Sequence, residues 1–453
     1  MMRQYIHQLF TFINARNERS ANLIKNVFAS FGIKGINIVL QLLIVPLTIN
    51  YVNPAQYGIW LTLSSIVGWF SFLDIGFGNG LKNRFAEAKA IGDYAKAKSY
   101  VSTTYICLSA IITAVWILFF CIHFFINWSK VLNAPALMAK QLSVAAVIVF
   151  TFFCLQFVLK TINTVLTADQ KPAKSAFFDM LGQVLALAVI FILTKTTQGS
   201  LVYLAMALGF CPVVIMIISS LWFYNRDYKP YKPSIRLFEK SIVKDIIGLG
   251  GKFFIIQIGA IIIFQTNNII IAHVCGSVDV TIYNIAYKYF SVIYMILLII
   301  ISPIWSAYTD AYVRRDVVWM KSTIRFLEKI WFLMVFGLLL MLVCSSFIYK
   351  IWIGESVTVP FTVSLSISVY IMIWTRSSIY LFPINGIGKI KVQMYSYLIG
   401  CILNIPTALL CGIKWGLPGI IIVNTCTLLP NTVWGPVQLN RLINNKAKGI
   451  WNE

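Results

Sequence analysis

YGIWLTLSSIVGWFSFLDIGFGNGLKNRFAEAKAIGDYAKAKSY, residues 57–100, is the stretch that decides the fold. Residues 57–73 carry no charge and belong in hydrocarbon. The chain then turns polar at Asp74, passes a comb of glycines (Gly76, Gly78, Gly80) and collects Lys82, Arg84, Lys89, Lys96 and Lys98. A membrane helix leaves the bilayer here, and its basic flank puts the exit on the cytoplasmic side.

The rest of the composition agrees. Of 453 residues, 59% are hydrophobic and 11% charged, against about 25% charged in a soluble domain, and the mean hydropathy is +0.81. This is the signature of an integral membrane protein. The net charge of +22 would point to nucleic acid in a soluble chain. In a membrane chain it is the positive-inside bias of cytoplasmic loops, so no nucleic-acid partner is expected. Nine cysteines lie scattered in or beside apolar runs with no CxxC, and His7, His123 and His273 are far apart. Neither a disulfide framework nor a metal site is expected. The N-terminus lacks cleavable-signal anatomy. It reads as an interfacial helix with Tyr5, Phe10 and Phe12 toward lipid, or as a flexible tail.

Apolar runs predict an all-α protein of twelve membrane helices at 23–52, 57–82, 97–127, 139–168, 173–195, 200–224, 246–274, 279–308, 322–353, 357–386, 391–412 and 417–440. Of the 37 Lys and Arg, 27 flank the cytoplasmic ends if the N-terminus is inside. Five (Lys130, Lys140, Lys195, Lys350, Lys414) fall on the other side, and Lys34, Lys160, Lys252, Lys288 and Arg376 fall within helices. That asymmetry fixes the expected orientation, with both termini cytoplasmic. Residues 1–22 form an N-terminal segment and 23–225 a six-helix bundle. A basic linker with two prolines, 226–245, leads to a second six-helix bundle at 246–440 and a tail at 441–453.

The two halves repeat. Glu87-Ala88, Asp93 and Lys98-Ser99 return as Asp310-Ala311, Asp316 and Lys321-Ser322, each 223 residues on. Lys34 and Lys252, Lys171 and Lys389, Gly182 and Gly400, and Pro212 and Pro430 are each 218 apart. A six-span unit keeps its orientation when duplicated, so the repeats are parallel and related by an axis along the membrane normal. In such transporters the path runs between the halves, which rock against each other.

Charges inside the spans mark candidate sites, since a charge at mid-bilayer costs about 2.5–3.5 kcal/mol on insertion scales. Lys34 lies ~18 Å into helix 1 and Lys288 ~14 Å into helix 8 at 1.5 Å per residue. Both are candidates to line a wet cavity. Lys252, Lys160 and Arg376 lie nearer the cytoplasmic third, where snorkelling is the competing reading. Asp74 and Asp179 are the embedded acids and read as a cap or ion pair, or as carriers of a coupling proton. Asn37, Gln41, Gln257, Gln265, Asn267, Asn268 and Asn284 cluster on helices 1, 7 and 8. They suit hydroxyl-rich sugars or interhelical hydrogen bonds. A cationic cavity with aromatics suits an anionic, partly lipidic substrate such as a pyrophosphate head group.

The stretch YGIWLTLSSIVGWFSFLDIGFGNGLKNRFAEAKAIGDYAKAKSYVST resembles helix 2 and the following loop of Wzx-like bacterial polysaccharide flippases. These belong to the multidrug/oligosaccharidyl-lipid/polysaccharide superfamily, whose fold is MATE-like. IYNIAYKYFSVIY and PIWSAYTDAYVRRD resemble the helix 8 region. The resemblance implies a V-shaped central cavity in a protein of the bacterial inner membrane. It implies transfer of undecaprenyl-pyrophosphate-linked oligosaccharide from the cytoplasmic to the periplasmic leaflet, for O-antigen or capsule. Lys34, Lys252, Lys288 and Arg376 are the candidates to meet the pyrophosphate, with Asn267 and Asn268 beside them. Partners would be the lipid-linked oligosaccharide, membrane lipids, a polysaccharide polymerase and a chain-length regulator. No cofactor is expected, and H+, Na+ and the membrane potential all stand as coupling sources. A drug/cation exporter would want acids deep in its lobes, whereas a lipid II flippase is chemically close. A polymerase or glycosyltransferase would need large external loops with arginines or paired carboxylates. No GxGxxG, P-loop, HExxH or Ser/His/Asp pattern occurs, so no enzyme is expected.

Overall fold

The computed structural model describes residues 18–74, 76–169, 171–244 and 265–452. The proposed interfacial N-terminal helix, Lys252 and Gln257 lie outside the described residues.

Helix α1 spans Glu18–Val52. Asn53 then turns the chain with φ 90° and accepts from the Gln56 amide (3.0 Å), and Pro54 opens α2, Pro54–Gly68. Proline suits a first turn because its missing N–H would be unsatisfied there anyway. A 3-10 turn, Trp69–Asp74, carries the same crossing into α3, Phe77–Ala90. The first half continues with α4 (Tyr94–His123), the consecutive pieces α5 (Ala139–Leu159) and α6 (Thr161–Ala168), α7 (Pro172–Thr196) and α8 (Leu201–Asn225). In the second half, α9 covers 265–274. It is followed by α10 (Ser277–Val313), α11 (Val317–Ile353), α12 (Phe361–Ile387) and α13 (Lys391–Ile443).

Nine helices among the described residues are long and apolar enough to cross a membrane. One of them, α13, holds two crossings. It folds back at Gly416, whose φ 63°, ψ −150° is a region open only to glycine. The split α2–α3 path supplies an eleventh, and α9 is the described end of the helix expected at 246–274, the rest of which lies outside the described residues. Helices 2 and 8 run further than hydropathy predicts, to Ala90 and Val313. Phe77, Leu81 and Phe85 on α3 are buried in the base of the first half, so packing sustains a helix that apolarity alone would have ended.

The polar repeat is one turn folded twice. Gly92 and Arg315 both take positive φ, at 79° and 57°. Asp93 and Asp316 follow them, and their carboxylates accept from the Lys96 and Trp319 amides at 2.9 Å each. The backbone bonds match as well, Asp93 N to Ala88 O and Asp316 N to Ala311 O, both 2.9 Å. The similarity between the halves is thus a helix-capping signature. An N-cap oxygen stabilises by about 1 kcal/mol. Asp93→Ala and Asp316→Ala should therefore each lower the melting temperature of the purified protein by a similar few degrees. A variant that melts like the parent would show that its cap contributes nothing.

The packing forms a wedge. One core cluster runs across both halves, joining Val45, Ile49, Tyr57 and Leu63 to Ile271, Val280, Tyr283 and Phe290. At the opposite end each half has its own core. Phe85, Tyr100, Val165 and Tyr224 belong to the first, and Tyr308, Leu327, Ile384 and Leu439 to the second. The bundles are fused at the end bearing residues 53, 131 and 276 and parted at the end bearing residues 93, 169 and 316.

Residues 226–244 form a strap across the parted end of the first bundle. Tyr228 and Tyr231 are buried there, at 1% and 4% exposure. The Ser234 amide donates to Ser102 Oγ (3.0 Å), and the Glu239 amide to Thr103 Oγ1 (3.2 Å). Tyr228 also donates to Asp169 (2.6 Å), which pairs with Lys171 (2.8 Å) and Lys89. Burial alone would raise the Asp169 carboxyl. The hydrogen bonds from Lys171, Lys89 and Tyr228 outweigh it and hold the group below the usual carboxylate range. A lowered folded pKa means that the stabilisation is present above the unfolded value, about 3.9. It is lost as pH falls below that value and through the folded one. Asp169→Asn should lower stability at neutral pH by about 1.5–3 kcal/mol, the size of a charge-assisted hydrogen bond. It should also flatten the decline between about pH 4 and lower pH. Identical acid profiles for parent and variant would dissociate Asp169 from the strap.

Candidate functional site

Two helical stripes lead out of the fused core toward the parted end of the wedge. On α1, residues 34, 37, 41, 45 and 48 lie within about 80° of one another at 100° per residue. Val45 and Thr48 are buried at the fused end. Asn37 is half-buried, and Gln41 and Lys34 are exposed. Ile36, Val39 and Leu43, 49%, 54% and 48% exposed, occupy the opposite side of the helix and form its apolar exposed face. Lys34 therefore points away from that apolar face, on the stripe that leads out of the junction into open space.

On α10 the corresponding stripe is Ser277, Thr281, Asn284 and Lys288. Each touches or approaches the first bundle. A Cβ on Gly58 would sit 1.7 Å from the Ser277 carbonyl oxygen, so α2 and α10 meet backbone to backbone. Thr281 donates to the Pro54 carbonyl (2.6 Å). Asn284 donates to Asn268 Oδ1 (2.8 Å), whose own amide donates to Ser65 Oγ (2.7 Å). Lys288 Nζ lies 3.2 Å from the Tyr57 hydroxyl and 6.0 Å from the centre of its ring. Three further bonds cross the seam, from Asn133 to the Ala272 carbonyl (2.7 Å), from His273 Nε2 to the Val131 carbonyl (3.0 Å) and from Trp352 Nε1 to the Leu42 carbonyl (2.8 Å).

The other sequence candidates are placed elsewhere. Asn267 is 2% exposed and turns into the second bundle, where it accepts from Asn424 (2.9 Å), which in turn accepts from Asn404 (3.0 Å). Arg376 is tied between α11 and α12. Its guanidinium lies 3.6 Å from Glu328 and 4.8 and 5.1 Å from the ring centres of Trp331 and Tyr380. Asp74 accepts from the Gly78 amide (2.9 Å) and so caps α3 at the break in helix 2. Asp179 accepts from Asn163 (3.0 Å) and feels the charge of Lys160. Asp74 and Lys160 share the wall of a hollow of about 210 Å³ inside the first bundle, beside Thr161. The structure thus brings Asn268 and Lys288 together at the seam, and it separates Asn267, Arg376, Asp74 and Asp179 from them.

The sequence reading passed over an aromatic ladder behind Lys288. Tyr283 stacks on Tyr287 (5.8 Å), Tyr287 on Trp374 (6.5 Å) and Trp374 on Tyr294 (3.8 Å). The signal was present, since tyrosines at i, i+4 and i+11 share one helical face. Among the described residues no group of His, Cys, Asp and Glu could hold a metal ion.

Comparison with known proteins gives a consistent answer. The polysaccharide biosynthesis protein family matches residues 23–308. A Yersinia pseudotuberculosis protein named "Putative O-antigen export protein" is 20% identical over 90% of this chain and 93% of its own length. A Salmonella typhi protein named "Putative O-antigen transporter" is 21% identical over 78% of this chain and 81% of its own. Among solved structures, the inward-facing form of a multidrug resistance MATE family transporter of the MOP superfamily superposes with a TM-score of 0.75. It is 16% identical over 93% of this chain and 100% of the other, a likeness of fold. With more than half its length matched and a MATE-like fold around a parted cleft, the chain belongs to the polysaccharide biosynthesis protein family, as a Wzx-like membrane flippase and not an enzyme.

Proposed function

We propose that the protein moves undecaprenyl-pyrophosphate-linked oligosaccharide repeat units from the cytoplasmic to the periplasmic leaflet of the bacterial inner membrane, for O-antigen or capsule. The observation that supports this reading is the pair of cationic, amide-bearing helical stripes that meet at the fused seam and lead from it toward the parted end. Lys34, Asn37 and Gln41 come from one bundle and Asn268, Asn284 and Lys288 from the other. With both termini cytoplasmic, as the 27 basic residues on that side favour, the parted end opens inward and the fused end closes the path outward.

The chemistry of crossing follows from Lys288. In the closed seam its ammonium is satisfied by a neutral phenol, Tyr57. A pyrophosphate oxygen is charged, and such hydrogen bonds are roughly twice as strong as neutral ones. A head group reaching the apex therefore displaces Tyr57 and loosens a contact that holds the bundles together. Lys34 keeps the anion attracted along the way, and the amides meet sugar hydroxyls. Alternating access then parts the fused end while the other end closes. A polymerase and a chain-length regulator receive the product.

Deleting the gene should trap lipid-linked oligosaccharide on the inner leaflet and abolish surface glycan, and the intact gene should restore both. Normal display after deletion would reject this role. Asp74 and Asp179 are engaged within the first bundle, Asp74 as a helix cap and Asp179 as the acceptor of Asn163 near the charge of Lys160. Asp179→Asn combined with Lys160→Gln should keep glycan display within about twofold of the parent, as expected for a site outside the path. Loss of display at normal protein level would instead make the pair part of energy coupling to H+, Na+ or the membrane potential.

A further inference from the structure

A second basic feature lies away from the wedge. Lys321 and Arg325, one turn apart on α11, face Asn440 and Leu439 on α13 across a cleft of about 390 Å³ floored by Tyr380. The nearby acid is already engaged, because Glu328 accepts from Tyr380 (2.5 Å) and pairs with Arg376 (3.6 Å). Neither Lys321 nor Arg325 has an acidic partner among the described residues. Asn440 Oδ1 accepts from Asn444 (2.7 Å), which leaves its NH₂ as a donor. Two cations and an amide donor thus converge at the parted end of the second bundle.

What continues from the cleft identifies the occupant. The α11 stripe that starts at Lys321 and Arg325 runs on through Phe332, Phe336 and Val343, which are 65%, 58% and 82% exposed. The α13 stripe that ends at Asn440 comes from Leu429 and Val433, 46% and 67% exposed. Large apolar side chains this exposed in a membrane protein face acyl chains, so the cleft opens to lipid and not to the wedge. Basic pockets between membrane helices on the cytoplasmic side hold anionic lipid head groups.

We propose that this cleft binds an anionic glycerophospholipid, with its phosphate on Lys321 and Arg325 and its acyl chains along the α11 and α13 stripes. The delipidated full-length protein, titrated in detergent with phosphatidylglycerol or with phosphatidylcholine of the same chains and followed by native mass spectrometry, tests this. Phosphatidylglycerol should bind more tightly. K321Q/R325Q should weaken it about thirtyfold, at about fivefold per basic residue, while K321R/R325K retains it. If the double variant does not fold, R325Q alone should weaken binding about fivefold. Equal affinity for the two lipids, or unchanged phosphatidylglycerol binding in a folded variant, overturns the proposal. Soluble glycerophosphoglycerol binding as tightly as the lipid also overturns it, since the cleft would then be a free-phosphate site.

Discussion

Lys288→Ala should abolish delivery of surface glycan while the protein still reaches the membrane, and Lys34→Ala should do nearly the same. Each lysine offers one charge-assisted hydrogen bond to a diphosphate, worth about 1.5–3 kcal/mol, or about 10–100-fold in head-group affinity. Lys288 also holds the seam through Tyr57. Two variants separate these roles. Tyr57→Phe removes the seam bond and leaves the ammonium for substrate, so it should retain most of the display. Lys288→Arg keeps the charge and should retain part of it. The measurements are long-chain glycan on the cell surface and lipid-linked oligosaccharide held inside. Full display in both alanine variants would remove both lysines from the path.

Gly58→Leu should also stop transport, for a steric reason. Its Cβ would lie 1.7 Å from the Ser277 carbonyl oxygen, where contact needs about 3.5 Å. Both groups sit on backbone, so neither can swing aside, and α2 must move off α10. The bundles would still fold, because the clash lies between them. The fused end would stay parted, and thiol labelling at an introduced Ser277→Cys in a cysteine-depleted background should quicken. Gly35→Ala is the control, since a Cβ there would meet nothing within 4 Å. Normal glycan display by Gly58→Leu would show that closure of this seam is dispensable.

Apolarity and the distribution of Lys and Arg were enough to read the helix count, because burying backbone in hydrocarbon leaves a chain few options. The ends of helices 2 and 8 were harder to read. Their extensions are polar on one side and depend on cores assembled from distant segments. Within the site, depth was legible and direction was not. Asn267 and Asn268 are neighbours about 100° apart on one helix. One enters the Asn404–Asn424 ladder and the other reaches Ser65. Nothing local distinguishes them. Arg376 looked like a cavity cation because Glu328, its partner, lies on a different helix. The phase of α1, by contrast, is legible, since the angle between Lys34 and the apolar face of Ile36, Val39 and Leu43 needs only the residue numbers.

The strap at 226–244 also sets how far one bundle can travel. Its tyrosines are moored in the core beneath α4 and α8, and Asp169 bolts it to two lysines. That part of the chain therefore moves with the first bundle as cargo and offers no slack. Whatever swing carries the second bundle past the first cannot be taken up within residues 226–244, and it must be accommodated at the tight crossing of α2 and α10 at Gly58.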